Sequence, residues 1–230
     1  AELDGRNVTI DSTRRSAPSG ICTLDVQNSG TSARFLAALA ATEAGRESIL
    51  DGSERMRERP MRELLDALQA LGADIDHTNG GLPLRIRGKK LHGTSLTIDA
   101  SRSSQFLSAL LLIAPRLSGE LHLHCAGTLA SAPYVDMTTA LMKQAGVNVQ
   151  QKHFSFAAET GRPYSGHSWA VEGDYSGAAF LLAAAAVTGG KLEVRNLVFP
   201  SSQGDADIVR ILHLLGARIE HTADALRIRG

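Results

Sequence analysis

The sequence predicts a mixed α/β (α+β) fold of repeated βαβαββ units packed around buried helices, and three observations carry the prediction. LQALGADIDHTNGGLPLRIRG (68–88) and LHLLGARIEHTADALRIRG (212–230) share Leu-Gly-Ala, an acidic residue before His-Thr and the ending LRIRG, and a weaker relative, LMKQAGVNVQQKHFSF, starts at Leu141. Gly72, Gly146 and Gly216 mark these segments at intervals of 74 and 70. Upstream, Phe35, Phe106 and Phe180 mark the helix-like runs RFLAALA, QFLSALLL and AFLLAAAA at intervals of 71 and 74, so two independent landmarks give one period.

Within a unit the elements follow one order. A short alternating strand, LTID at 96–99 or SWAVEG at 168–173, runs through a small-residue turn into an Ala/Leu-rich helix. A glycine turn and a second strand come next, seen in GELHLHC (119–125) and GGKLEVRN (189–196). An amphipathic helix follows, with Met61, Leu64, Leu65, Leu68 and Leu71 on one face and Gly72 at the position of a C-terminal cap. A strand pair closes the unit, and its LRIR sets Leu84 and Ile86 against Arg85 and Arg87. The first helix is apolar on nearly all sides and the second on one, which puts the first between layers and the second outside. Unit boundaries are expected near residues 26, 95 and 168, with the tail of an earlier unit before residue 26 and one core formed around the inner helices.

Composition narrows the function. The 230 residues balance 24 Lys+Arg against 24 Asp+Glu, which argues against a general nucleic-acid or membrane-surface binder. Aromatic residues at 4% leave little for base stacking, and 43% hydrophobic with 21% charged residues suits a globular core. Cys22 and Cys125 lack CxxC partners, so neither a disulfide framework nor a zinc site is predicted and a reducing, cytoplasmic setting is expected. The longest apolar stretch, Ala178 to Val187, is too short to span a bilayer, and no secretory leader is visible. The chain begins without Met and stops after a strand-like segment, as a piece of a longer protein would.

The strand-to-helix turns QNSGTSAR (27–34), SRSSQF (101–106) and EGDYSGAAF (172–180) are where the repeats differ most. Helix N-termini carry unpaired N–H groups and partial positive charge, so these turns can bind anions; their Ser and Thr residues are equally suited to capping alone. In DGSERMRERPM, Pro60 disfavours helix at Arg59, which places Arg55, Arg57 and Arg59 on the loop entering a helix. Either Glu54, Glu58 and Glu63 neutralise these arginines, or a guanidinium beside a helix N-terminus takes a phosphate or carboxylate. His122 and His124 share a strand face without a third metal ligand, the cysteines read as small hydrophobes, and Trp169 reads as core.

In order along the chain, NSGTSAR, LDGSERMRERPMREL, SSQFLSALL, SAPYVDMT and VEGDYSGAAFLLAAAA resemble the successive signatures of the 5-enolpyruvylshikimate-3-phosphate synthase family, from about residue 25 to 230. The resemblance implies the enolpyruvyl transferase fold, an inside-out α/β barrel of six βαβαββ units in two globules, of which this chain holds about half. Residues 1–171 would belong to the first globule and 172–230 to one unit of the second. Members transfer the enolpyruvyl group of phosphoenolpyruvate to the 5-hydroxyl of shikimate 3-phosphate without metal or organic cofactor.

By motif, the resemblance implies that Gly30 lets the backbone approach phosphoenolpyruvate and that Arg59 clamps it. Ser103, Ser104, Gln105, Ser131 and Tyr134 would hold shikimate 3-phosphate, Gln105 would touch both substrates, and Arg34 would support its turn. Phe35 replaces the family's usual proline, and Ala132 replaces its usual lysine, removing one positive charge near the phosphate. No catalytic residue falls in this segment, so the missing half of the enzyme is an expected partner and the chain alone is expected to be inactive. A UDP-N-acetylglucosamine enolpyruvyl transferase-like enzyme would need a loop cysteine that neither Cys22 nor Cys125 supplies, and a non-catalytic anion-binding paralogue is the alternative from another class.

Overall fold

The computed structural model describes residues 2–11, 20–222 and 225–230. A short exposed antiparallel hairpin, β1 (Glu2–Asp4) with β2 (Asn7–Thr9), comes first. The first unit consists of β3 (Cys22–Asp25), α1 (Gly30–Ala41), β4 (Glu47–Asp51), α2 (Glu54–Arg57), α3 (Arg62–Ala70), β5 (Asp74–Thr78) and β6 (Gly81–Arg87). The second repeats it as β7 (His92–Asp99), α4 (Ser104–Ile113), β8 (Ser118–Ala126), α5 (Ala132–Gln144), β9 (Val149–Lys152) and β10 (Ser155–Ala158). The third contains α6 (Tyr175–Val187), β11 (Lys191–Arg195), α7 (Ile208–Leu214), β12 (Arg218–His221) and β13 (Ala225–Arg229).

Sheet topology repeats with the sequence. The strand orders are β3-β4-β6-β5 and β7-β8-β10-β9, with the first pair parallel and the rest antiparallel, and the third unit keeps β11-β13-β12. A parallel pair needs a crossover, and α1 and α4 supply it. Gly72, Gly146 and Gly216 have φ of +97°, +85° and +100°, so the glycine that marks the period is the left-handed residue that ends each outer helix.

The core follows from burial of the apolar faces. Helix α4 packs on α1, α3 and α5, with Phe106, Leu107, Leu110 and Leu111 buried. Helix α3 buries Leu64, Leu65 and Leu68, with Met61 and Leu71 at its ends, and turns Asp66 and Gln69 outward. Fully burying one such leucine contributes about 1.5–3 kcal/mol.

Several expectations need correction. The first unit begins at Cys22, because β3 pairs in parallel with β4, and of the tail expected before residue 26, residues 12–19 lie outside the described residues. Residues 168–173 form no strand: among the described residues their one backbone-to-backbone hydrogen bond is Gly173 N to Asn196 O, and residues 168–171 are exposed. Trp169 is 46% exposed, its Nε1 donating to Gln144 Oε1 at 3.0 Å, so it is not core. Cys125 is buried, whereas Cys22 on the edge strand β3 is only half-buried.

The buried residues form two clusters where one core was expected, the first running from Val26 to Ala158 and the second from Tyr175 to Ile228. Helix α6 packs on β11, β13 and α7 of its own unit. It therefore buries Tyr175, Ala178, Leu182 and Ala185 but leaves Phe180 81% and Val187 84% exposed, although its sequence is apolar all round. Among the described residues no helix is long and apolar enough to cross a membrane.

Candidate functional site

The α1 entrance is built from the turn that the sequence singled out. Ser29 caps the helix, its Oγ accepting from Ser32 N at 3.2 Å. Ser53 ties this turn to the next corner, its backbone N donating to Gln27 O at 2.9 Å and its hydroxyl to Asn28 Oδ1. Gly30 is buried at the first position of α1, and a Cβ there would press into Arg34 Nη1 and come within 2.8 Å of Arg59 Nη1. Two guanidinium groups thus converge on one glycine at a helix N-terminus.

The three loop arginines are sorted by their partners. Ser53 also caps α2, accepting from Met56 N, and Met56 is fully buried, so residues 54–57 close into a helical turn instead of the expected loop. Arg57 on that turn makes a bidentate pair with Asp51, at 2.9 and 2.6 Å, and this bond holds the Asp51 carboxyl below its ordinary pKa. Arg55 pairs with Glu58 at 3.3 Å on the exposed surface. Arg59 stays on the loop, and among the described residues no carboxylate pairs with it.

Arg34 is buried to 5% exposure, with Nη2 donating to Pro60 O at 2.8 Å and its guanidinium 5.5 Å from the Phe106 ring centroid. Burial first, and repulsion from Arg59 second, lower its pKa, with Glu63 opposing them. Its Nε and Glu63 Oε2 are buried without hydrogen-bond partners among the described residues. The Pro60 bond ties Arg34 to the loop that carries Arg59.

The second corner lies against the first. Ser103 caps α4, its Oγ accepting from Gln105 N at 3.2 Å, and Ser104 is buried behind it. Gln105 Nε2 reaches across to donate to Thr31 Oγ1 at 3.0 Å. The turn before α5 is tied to the end of β7 by Ala130 N to Ala100 O at 3.1 Å, and Ser131 there has φ of +52° with no capping bond. Tyr134, in the first turn of α5, donates its hydroxyl to Asp205 Oδ2 at 2.9 Å.

Gly30, Arg34, Arg59 and Gln105 are therefore joined through direct neighbours, with Ser103 and Ser104 on the Gln105 turn. Ser131 and Tyr134 lie at the next helix entrance, whose Tyr134 faces the second cluster. Thr31, Ser176 and Asp205 were not singled out from sequence, although the repeat register places Asp205 at a helix entrance equivalent to that of Tyr134, 71 residues earlier. An excess of guanidinium charge, two helix N-termini and several hydroxyls make the corner attractive to small anions.

Other candidates lie elsewhere. A shallow groove of about 470 Å³ on the outer face of the second sheet is lined by His122, His124, Lys152 and Ser155 and contains none of the residues expected to bind substrate. His122 faces Glu120 at 3.1 Å and His124 faces Ser155 at 3.0 Å, and among the described residues no group of three or more His, Cys, Asp or Glu side chains is placed to hold a metal.

Successive βαβαββ units with converging, arginine-flanked helix entrances define an α/β repeat protein with an anion-attracting corner. The EPSP synthase (3-phosphoshikimate 1-carboxyvinyltransferase) family model matches residues 1–230, and the chain belongs to that family. It is 39% identical over 206 residues to the 3-phosphoshikimate 1-carboxyvinyltransferase of Pseudoalteromonas translucida, covering 88% of this chain and 48% of the relative. The enzyme of the same name from Syntrophobacter fumaroxidans is 41% identical over 204 residues, covering 87% of this chain and 48% of the relative. Among solved structures, EPSP synthase from Acinetobacter baumannii superposes with a TM-score of 0.69 at 24% identity, over 91% of this chain and 48% of that one, which establishes the fold. The chain spans about half the length of these relatives.

Proposed function

We propose that this chain supplies the arginine and hydroxyl side of an active site that transfers the enolpyruvyl group of phosphoenolpyruvate to the 5-hydroxyl of shikimate 3-phosphate. Residues 1–171 would form part of one globule and 172–230 part of the other, with the rest of the site on the missing half. The observation that carries the reading is Arg59 Nη1 beside buried Gly30, at a helix entrance bonded to the neighbouring one through Gln105 and Thr31.

The reaction needs charge stabilisation more than a protein nucleophile. The 5-hydroxyl loses its proton to a base on the missing half as its oxygen bonds to C2 of phosphoenolpyruvate and C3 takes a proton; loss of a C3 proton then re-forms the C2–C3 double bond, breaks the C2–O bond to the phosphate and releases inorganic phosphate. Arg59 would neutralise the phosphate or carboxylate, and the glycine at position 30 leaves room for it against the N-terminus of α1. Ser103, Ser104, Gln105, Ser131 and Tyr134 would hold shikimate 3-phosphate through hydroxyl and amide donors. Gln105, bonded to Thr31 on the other corner, would touch both substrates.

Titration of shikimate 3-phosphate into the chain, with and without phosphoenolpyruvate, tests the reading. Binding of the first that tightens in the presence of the second, and loss of that tightening in Arg59→Ala, is the expected result. Absence of binding by either compound would overturn it.

A further inference from the structure

The Tyr134–Asp205 bond joins the two buried clusters. Tyr134 belongs to α5, whose Val135 and Met142 lie in the first; Asp205 lies in the short 3-10 turn Gly204–Asp207, whose Ala206 lies in the second. The same oxygen, Asp205 Oδ2, also accepts the hydroxyl of Ser176 at the start of α6. A Cβ on Gly204 would meet Pro133 Cβ at 3.3 Å, so the backbones are close as well.

The loop carrying Asp205 is braced from behind. Gln203 Oε1 accepts from Tyr175 N at 2.8 Å, and its Nε2 donates to Gly173 O at 2.9 Å. Ser201 Oγ donates to Glu172 Oε1 at 3.0 Å, and the buried Tyr175 donates its hydroxyl to Val198 O at 2.9 Å. Residues 172–177 and 198–205 therefore form one bonded body, and Asp205 is the side chain it presents to Tyr134.

A phenol has a single proton to donate. While Asp205 accepts it, Tyr134 has none for a phosphate ester, and a carboxylate at that oxygen repels an arriving dianion. We infer that Asp205 is a built-in competitor for the shikimate 3-phosphate subsite: it holds the Tyr134 hydroxyl when the subsite is empty and must withdraw, with its braced loop, when the ester binds. This rests on the reading of Tyr134 given under the proposed function. Asp205 acts through Tyr134 and is a positioning residue, opposing ligand where the serines favour it.

Titration of shikimate 3-phosphate into the wild-type chain, Asp205→Asn, Ser176→Ala, Tyr134→Phe and the Tyr134→Phe/Asp205→Asn pair, each checked for native circular dichroism, tests this. Asp205→Asn should tighten binding by about two- to tenfold, the scale of one modest hydrogen bond. Ser176→Ala, which loosens the carboxylate without touching its charge, should tighten it less, and in the Tyr134→Phe background the Asp205 substitution should keep only the smaller part that comes from relieved charge repulsion. A purely structural role predicts the opposite sign. Binding by the wild type that is unchanged or weakened in Asp205→Asn would overturn the competitor and leave the subsite standing. Binding by none of the chains would overturn both. Binding by Asp205→Asn alone would support the competitor, as would faster amide exchange over residues 201–207 in ligand-free Tyr134→Phe when it accompanies the tightening.

Discussion

Gln105 Nε2 donates to Thr31 Oγ1 at 3.0 Å, and the two residues are 74 apart in the chain. That separation is close to one repeat period, so the bond connects equivalent helix entrances of successive units. Two turns that could each have been a simple N-cap become one continuous polar surface.

The bond should couple the two substrates. In a double-mutant cycle of Thr31→Val and Gln105→Ala, read as the affinity for shikimate 3-phosphate with and without phosphoenolpyruvate, a coupling of about 0.5–1.5 kcal/mol is expected. Additive losses would show that the corners act independently.

Gly30→Ala should separate the two ligands. The new Cβ meets the far ends of two arginine side chains: Arg59 can swing away, whereas the buried Arg34 must shift against its Pro60 bond, so native circular dichroism is the first check. Displacing both guanidinium groups should weaken phosphoenolpyruvate binding by roughly tenfold, about the worth of one charge-assisted hydrogen bond, while shikimate 3-phosphate binding changes little. Arg59→Ala should reproduce this with a roughly ten- to hundredfold loss of phosphoenolpyruvate affinity. Equal losses for both ligands in calorimetric titrations would contradict the assignment.

The repeat was legible because its skeleton is local chemistry. Gly72, Gly146 and Gly216 each end a helix in the left-handed conformation, and the face of Met61, Leu64, Leu65, Leu68 and Leu71 is fixed by helical spacing. What failed was decided by neighbours. SWAVEG alternates like a strand, yet Trp169 bonds to Gln144 and residues 168–171 stay exposed. The arginines of DGSERMRERPM look alike in sequence. Burial of Met56 and the position of Asp51 separate Arg57, which pairs with a carboxylate, from Arg59, which pairs with none among the described residues. Asp205 was unreadable because its partner Tyr134 lies 71 residues away and on the other buried cluster.

The exposed side of α6 makes a prediction about the chain in solution. Phe180, Leu181 and Val187 form an apolar surface on a helix without a charged residue. Such a surface should bind 8-anilinonaphthalene-1-sulfonate while near-ultraviolet circular dichroism remains native. The Phe180→Ser/Val187→Ser variant should lower the dye signal and shift stability by no more than about 0.5 kcal/mol per substitution, since both side chains already face solvent. A large loss of stability instead would mean that these residues are packed.

Asp174 should give the second cluster a pH-dependent element. It caps α6, accepting from Ser176 N at 3.1 Å and Gly177 N at 2.9 Å, and the Gly177 bond is the main cause that lowers its pKa. A carboxyl whose folded pKa lies below its unfolded value contributes stability that is complete above the ordinary aspartate range near about 3.9 and is lost as pH falls through the folded pKa. At pH 7 Asp174→Ala should therefore lose about 0.5–1 kcal/mol, the lower part of the capping range because the group is solvent-screened. Asp174→Asn keeps a capping oxygen and should lose less. Urea unfolding of the three chains from pH 7 down to about 3 should show the wild type converging on Asp174→Asn as the carboxylate is protonated. A gap between those two chains that stays constant over the whole range would mean that the charge at the α6 entrance contributes nothing, and the cap acts through its geometry alone.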